Sequence, residues 1–404
     1  MATPWMTSDD LVAAVKRKIS FPSSQSTFTD TEILAFANEE MAISQVPAVM
    51  SFHEEYFVTT TKVTIESNKN RYPIPERAIG MKLRDLFWED DNGNIFEMTK
   101  VSEEDRAFFQ RNIGANQAIH KYLMEGNDII LTPLVLSQPT GKLLFVYFLR
   151  PNQLVSNNKA AIISSFGRTI TVDNTSLVAG NTVTINSTVF TAVGAAPTGN
   201  QFLIGGTSAI TATNLNTVIN VSGVVASAIS GTVLTLTFSN RNLETTTTNS
   251  SAFVISSLKI NFSSIPINIT NGSIIDFLQT RPGHKTMAFS VSIPSSGVSG
   301  NTISFTESDI PADLIVGDYI ASENECIIPQ IPSDLHNGLA ERSSARILAA
   351  LGDREGLQVS IAKIQEIAAA EGPLLDNRVE GSPIKITSRH SLLRYNKSSV
   401  KRRI

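Results

Sequence analysis

The chain has one cysteine, Cys326, so no internal disulfide can form and its thiol chemistry gives no sign of an oxidising compartment. Long apolar runs are absent as well: no stretch approaches the ~20 continuous apolar residues that a bilayer span requires. The opening, MATPWMTSDDLVAAVKRK, sets acids ahead of its basic cluster, which argues against a conventional signal peptide. With 33 basic residues against 37 acidic ones, the chain is not a nucleic-acid binder steered by net charge. These absences predict a soluble, assembled protein made in a cytoplasm, with no membrane contact.

Catalytic patterns are missing too. The five histidines, His53, His120, His284, His336 and His390, are scattered, with no HExxH pair and no second cysteine to complete a metal site. Gly205-Gly206-Thr207 precedes a helical pattern, but no P-loop lysine follows it, so a plain turn is expected. The carboxylate pairs Asp90-Asp91 and Glu103-Glu104 fall in turn and helix-start contexts. Asn-x-Ser/Thr triplets at Asn174, Asn186, Asn220, Asn261, Asn268 and Asn271 read as the chance yield of a Ser/Thr/Asn-rich stretch. The expectation is a non-enzyme, with no cofactor and no metal.

What is present is first a matter of size: 404 residues, 42% of them hydrophobic, supply two or three cores. The most regular pattern lies in residues 331–372. Ser333 is placed to cap a helix running to about Leu351, with Ala340, Ser344, Ile347, Leu348 and Leu351 on one side. Gly352 ends it, and Asp353 can cap a second helix whose Leu357, Ile361, Ile364 and Ala368 recur at three and four residues. This pair must bury its stripes against the rest of the chain or a neighbour. Leu339, Ile347, Leu351, Leu357, Ile361 and Ile364 are the candidate residues for that ring or bundle packing.

At the other end, Thr7 with Asp10 and Thr29 with Glu32 have capping-box spacing, each ahead of an apolar helical face. Strand patterns follow from Glu54, with hairpin signals at Asp91-Asn92-Gly93-Asn94 and at Glu125-Gly126-Asn127, and a short helix opening at Ser102. After Asn152, Ser, Thr, Asn, Gly and Val dominate and charges are sparse until about Glu307. Strands are expected at 183–185, 189–192, 233–238 and 253–255, a helix at 208–220, and an exposed loop at Thr245–Ser251. A last strand pair, 286–293 and 301–306, leads back to the helical pair. Beyond it Arg389, His390, Arg394, Lys397, Lys401, Arg402 and Arg403 accumulate without matching acids, either as a solvated tail or as a segment for an acidic crevice on a partner.

Several phrases, read in order, resemble the head-to-tail adaptor, or connector ring protein, of short-tailed bacteriophages, including the crAss-like group. They are RYPIPERAIGMKLRDLFWEDDNGN, VYFLRPNQLVS, IIDFLQTRPGHK, PADLIVGDYIASENECIIPQIPSDLHNGLAERSSARILAALGD and NRVEGSPIKI. The likeness covers roughly residues 1–160 and 270–390. It implies a homo-oligomeric ring, usually a dodecamer, in the virion at the head–tail junction. The portal protein lies above it, a tail tube, nozzle or further ring protein below it, and genomic DNA passes through the channel without sequence-specific binding. On this likeness Arg389, Arg394, Lys397, Lys401, Arg402 and Arg403 are the portal-docking group.

The fold class expected is α+β: a helical bundle formed by the N- and C-terminal helices, with a small antiparallel β domain and an inserted β-rich module. Its parts are residues 1–50 (N-terminal helices), 51–160 (antiparallel β/α region), 161–262 (inserted module), 263–328 (β return segment), 329–376 (C-terminal helical pair) and 377–404 (extended basic tail). The rival readings are a receptor-binding tail or surface adhesin using the β module, and a DNA-binding arm formed by the basic tail.

Overall fold

The computed structural model describes residues 5–20, 28–66, 69–104, 121–132, 141–239, 241, 244–256 and 258–375. The short helix expected from Ser102 runs into residues outside this set. Helices α1 (Ser8–Lys18) and α2 (Asp30–Glu40) both begin with the anticipated capping boxes. Thr7 and Thr29 each accept from the backbone N–H three residues on, and Asp10 and Glu32 accept in return from the cap backbone. After α2 the helix widens into a π turn at Met41–Gln45, where the Val46 N–H reaches back to the Met41 carbonyl, and then resumes as α3 (Val46–Phe52). Pro47 explains the widening, since its ring crowds the carbonyl four residues back and it has no N–H to donate.

Residues 58–149 build two four-stranded sheets face to face. One has the strand order Val58–Thr64, Lys142–Leu149, Ala78–Glu89, Ile95–Glu97; the other runs Arg71–Pro73, Asp128–Thr132, Lys121–Glu125, Thr99–Lys100. Both hairpins form where the turn residues placed them. At the first, Asp90 Oδ1 accepts from the amides of Asn92 and Asn94, which closes the turn. Tyr72, Phe145 and Tyr147 fill the space between the sheets, and every residue of this core comes from within 65–147.

From Ala161 a ten-stranded sheet takes over. Its spine is the strand Ala161–Val172, whose first two residues pair with Tyr319–Ile320 while the remainder pairs with Val233–Phe238, Phe253–Ile255 and Lys259–Phe262. All of its strands lie at or after residue 161, and strands on both sides of 262 contribute to it. A separate four-stranded sheet with α4 (Ser208–Ser222) packs over its outer half. Thr245–Ser251 was expected as a loop, but Thr245–Thr247 is a strand paired with Thr182–Ile185. β-branched threonines suit that edge, and Thr247 Oγ1 also donates to the Thr182 carbonyl.

Helices α5 (His336–Leu351) and α6 (Arg354–Leu375) end the described chain. Gly352, at φ 75°, stops α5 in the left-handed conformation that glycine adopts freely, and Asp353 Oδ1 accepts from the Gly356 N–H to start α6. Ser333 does not cap α5. It opens a single 3-10 turn, Ser333–Leu335, and the helix follows without a side-chain cap.

The expected fold class is corrected here: the chain is not a helical bundle with a β appendage. Among the described residues 35% are in strands and 29% are helical. The terminal helices do not enclose a core of their own. Leu154, Leu278, Tyr319, Ala321 and Cys326, all from strands, fill the core beneath α1, α2 and α5. Each of α1 and α2 has 11 residues and one apolar face, and that face is satisfied by a sheet as readily as by another helix.

Candidate functional site

Helix α5 is buried on most of its circumference, with α1 and α2 on one side and α6 on another. Its Leu339 and Ile347 are fully buried, so two of the expected packing residues belong to the monomer's own core. Leu351 is 41% exposed and Ile361 44% exposed, while Leu357 and Ile364 are half-buried. The seam between α5 and α6 lies to one side of the expected stripe: the residues of α6 that are buried are Ser360 and Glu371. The flank carrying Leu357, Ile361, Ile364 and Ala368 is thus only partly covered, and Val359, on the other side, is 58% exposed.

That seam is polar. Glu341, itself buried, receives Lys18 Nζ at 2.5 Å on one oxygen and Ser360 Oγ at 3.0 Å on the other, which ties α1, α5 and α6 at one carboxylate. Arg346 Nε donates to Glu40 Oε1 at 2.5 Å, joining α5 to α2. At the far end, Glu371 packs where Gly338 leaves room; a Cβ at Gly338 would collide with Glu371 Oε1, which has no hydrogen-bond partner. Burial pushes the Glu371 carboxyl above its ordinary value, outweighing the opposite pull of Arg342.

A second polar node lies where the small β region meets the long sheet. Asp276 is fully buried in the strand Ile274–Leu278 and accepts from Arg77 Nη1 at 3.0 and 3.2 Å, Asn152 Nδ2 at 2.8 Å, and the backbone N–H of Ser290 and Asn324, each at 3.0 Å. Asn152 completes the node by accepting from Arg77 Nη2, donating to the Glu325 carbonyl, and giving its own N–H to Gln330 Oε1 at 2.7 Å. Every buried donor and acceptor of Asp276 and Asn152 that this geometry involves is matched, as a buried carboxylate requires. Motif reasoning missed the node. Its signal was an acid inside the apolar run IIDFL, and its members, Arg77, Asn152, Asp276 and Gln330, lie in four of the phrases that carry the resemblance.

His284 and His336 are not scattered in space. Both are 1% exposed, their rings stand 5.5 Å apart, and Trp5 meets His284 edge-on at 5.6 Å. His336 Nδ1 accepts from the Met6 N–H at 3.1 Å, leaving Nε2 to donate to the Ile331 carbonyl at 3.2 Å. Burial, with His336 adding to it, lowers His284 to about 4, and burial lowers His336 as well. Cys326 is buried, and burial pushes its thiol far up, so it is chemically inert.

Arg389, Arg394, Lys397, Lys401, Arg402 and Arg403 lie outside the described residues. Among the described residues no three His, Cys, Asp or Glu side chains are grouped to hold a metal ion, and no helix is long and apolar enough to cross a membrane. The arrangement offers packing faces and buried polar ties rather than a reacting constellation. No curated protein matches the chain. The model of the SU10 adaptor protein family matches residues 6–177, from α1 through the small β region into the sheet that follows, and over that stretch the chain is similar to a phage structural adaptor.

Proposed function

We propose that this protein is the head-to-tail adaptor of a short-tailed bacteriophage, of the crAss-like kind that its phrases resemble. Copies of it form a ring, of twelve by that resemblance, in the neck of the virion. The ring seats on the portal, receives the tail tube, nozzle or a further ring below, and surrounds the channel through which DNA leaves. The match of residues 6–177 to the SU10 adaptor family carries this reading. The partly covered flank of α6, with Leu357, Ile361 and Ile364, and Leu351 at the end of α5 support it, because a heterologous contact repeated around a closed ring would bury such a flank on every copy. The basic tail is the portal-docking group, each exposed pair contributing only ~0–1 kcal/mol and the ring multiplying the contact.

The test uses purified protein and isolated portal rings, imaged and quantified by co-sedimentation. Full-length protein is expected to form rings that bind the portal, and removal of residues 379–404 is expected to weaken binding at least tenfold. Unchanged binding by the truncated chain would sink the docking role. The adhesin reading has less support: all six aromatic residues of 161–262, Phe166, Phe190, Phe202, Phe238, Phe253 and Phe262, are buried, so none is free to stack on a sugar ring.

A further inference from the structure

The chain enters the small β region through the 3-10 turn Glu54–Phe57 and leaves it through Arg150 and Pro151. Between those crossings, residues 58–149 own a complete core, closed between their two sheets. Among the described residues, their strands join none of the strands of the ten-stranded sheet. Among the described residues, the polar tie between the two bodies is Arg77, whose guanidinium binds Asp276 and Asn152 and lies 5.3 Å from the Phe289 ring centre. Ile79 and Phe148 add partly buried apolar contact with the helical core.

Three open clefts border the exit crossing at Pro151. A cavity of about 650 Å³ lies between Arg77, Tyr147 and Arg150 on one wall and Phe289, Ser290 and Asn324 on the other. A second, of about 220 Å³, separates Arg150 and Gln153 from Met41, Val46 and Ile79. A third, of about 60 Å³, lies among Phe57, Leu149, His284 and Gln330, and Pro151 lines all three. Close-packed interiors transmit rotation rigidly, whereas a segment bordered by open clefts can turn without forcing its neighbours to repack.

We propose that residues 58–149 form a hinged arm that turns about the crossings 53–58 and 149–151, and that the Arg77–Asp276 ion pair is the latch that holds the arm against the long sheet. Opening widens the largest cavity and lets water reach Asp276 and Arg77, while the arm's own core stays closed. The latch has two discrete states because a buried carboxylate is stable only when fully partnered or fully hydrated.

The experiment places nitroxide labels on the full chain carrying Cys326→Ser, through Thr60→Cys in the arm and Ser308→Cys in the body. Electron–electron distance measurements are expected to give one narrow distribution for the otherwise native chain. With Arg77→Leu a second, longer population should appear, and Arg77→Lys should give a smaller share of it. Hydrogen exchange on the same variants separates a hinge from general weakening. Amides of 142–147 should keep their protection while those of 152–155 lose at least tenfold. An unchanged distance distribution in folded Arg77→Leu overturns the proposal. So does an equal loss of protection across the whole chain, which would make the pair a general stabiliser. If Arg77→Leu does not fold, Asp276→Asn, nearly equal in volume, is read by the same two criteria.

Discussion

Single residues here act through whether their charge is matched. His284 and His336 are neutral in the folded chain, facing Trp5, Tyr56, Lys285 and Asp334 from the surrounding segments. Their folded values lie below the ordinary 6.5, so the unfolded chain takes up their protons first as pH falls. Stability from this pair is complete above about pH 6.5 and is lost as the pH falls towards 4. Urea midpoints measured across that window should fall, and His284→Phe should flatten the decline. Glu371 has the opposite sign. Its raised value means that the folded chain holds the proton longer, so its burial weighs most once pH exceeds the carboxyl's folded value. Glu371→Gln, which removes the buried charge but keeps a polar side chain there, is expected to raise stability at neutral pH and to make little difference in acid. The capping threonines were legible because their partners lie three residues away. Asp276 was not, because its partners come from residues 77, 152, 290 and 324 and no local spacing relates them.

At the scale of elements, the apolar period located α5 and α6 but not the line along which they meet. Two arcs of α6 overlap: the apolar one through Leu357, Ile361 and Ile364, and a mixed one through Ser360, Ile367 and Glu371. Helix α5 takes the second, because Glu341 can receive Ser360 and Gly338 gives Glu371 space. An apolar count has no means of preferring that arc. The two kinds of residue should separate by experiment. Leu339→Ala opens a cavity in a filled core and should cost about 2–5 kcal/mol of stability, read by denaturant titration. Ile361→Asp should change the stability of the single chain by no more than about 0.5 kcal/mol yet reduce ring formation by sizing chromatography. Rings that survive Ile361→Asp would remove the α6 flank from the assembly contact.

Across the whole molecule, composition located four of the nine strands within residues 161–262, where β-branched runs lie between local turn signals, and missed the spine Ala161–Val172 among the other five. Sheet continuity was hidden. Tyr319–Ile320 pairs with Ala161–Ile162 across more than 150 residues of chain, and no pattern in either segment names the other. The same non-local pairing explains the overestimate of the helices' independence: their faces rest on strands that the sequence places far away.

The strand Ala161–Val172 has a mechanical consequence. One end is stitched beside Tyr319 above the seat of the helices, and the other lies under Val233–Phe238 and Phe253–Ile255. Load on the distal sheets is shared between this strand and its antiparallel neighbour Lys259–Phe262, and it acts along their ladder. A pull on the distal sheets would thus reach the strand beside Tyr319 along paired backbone.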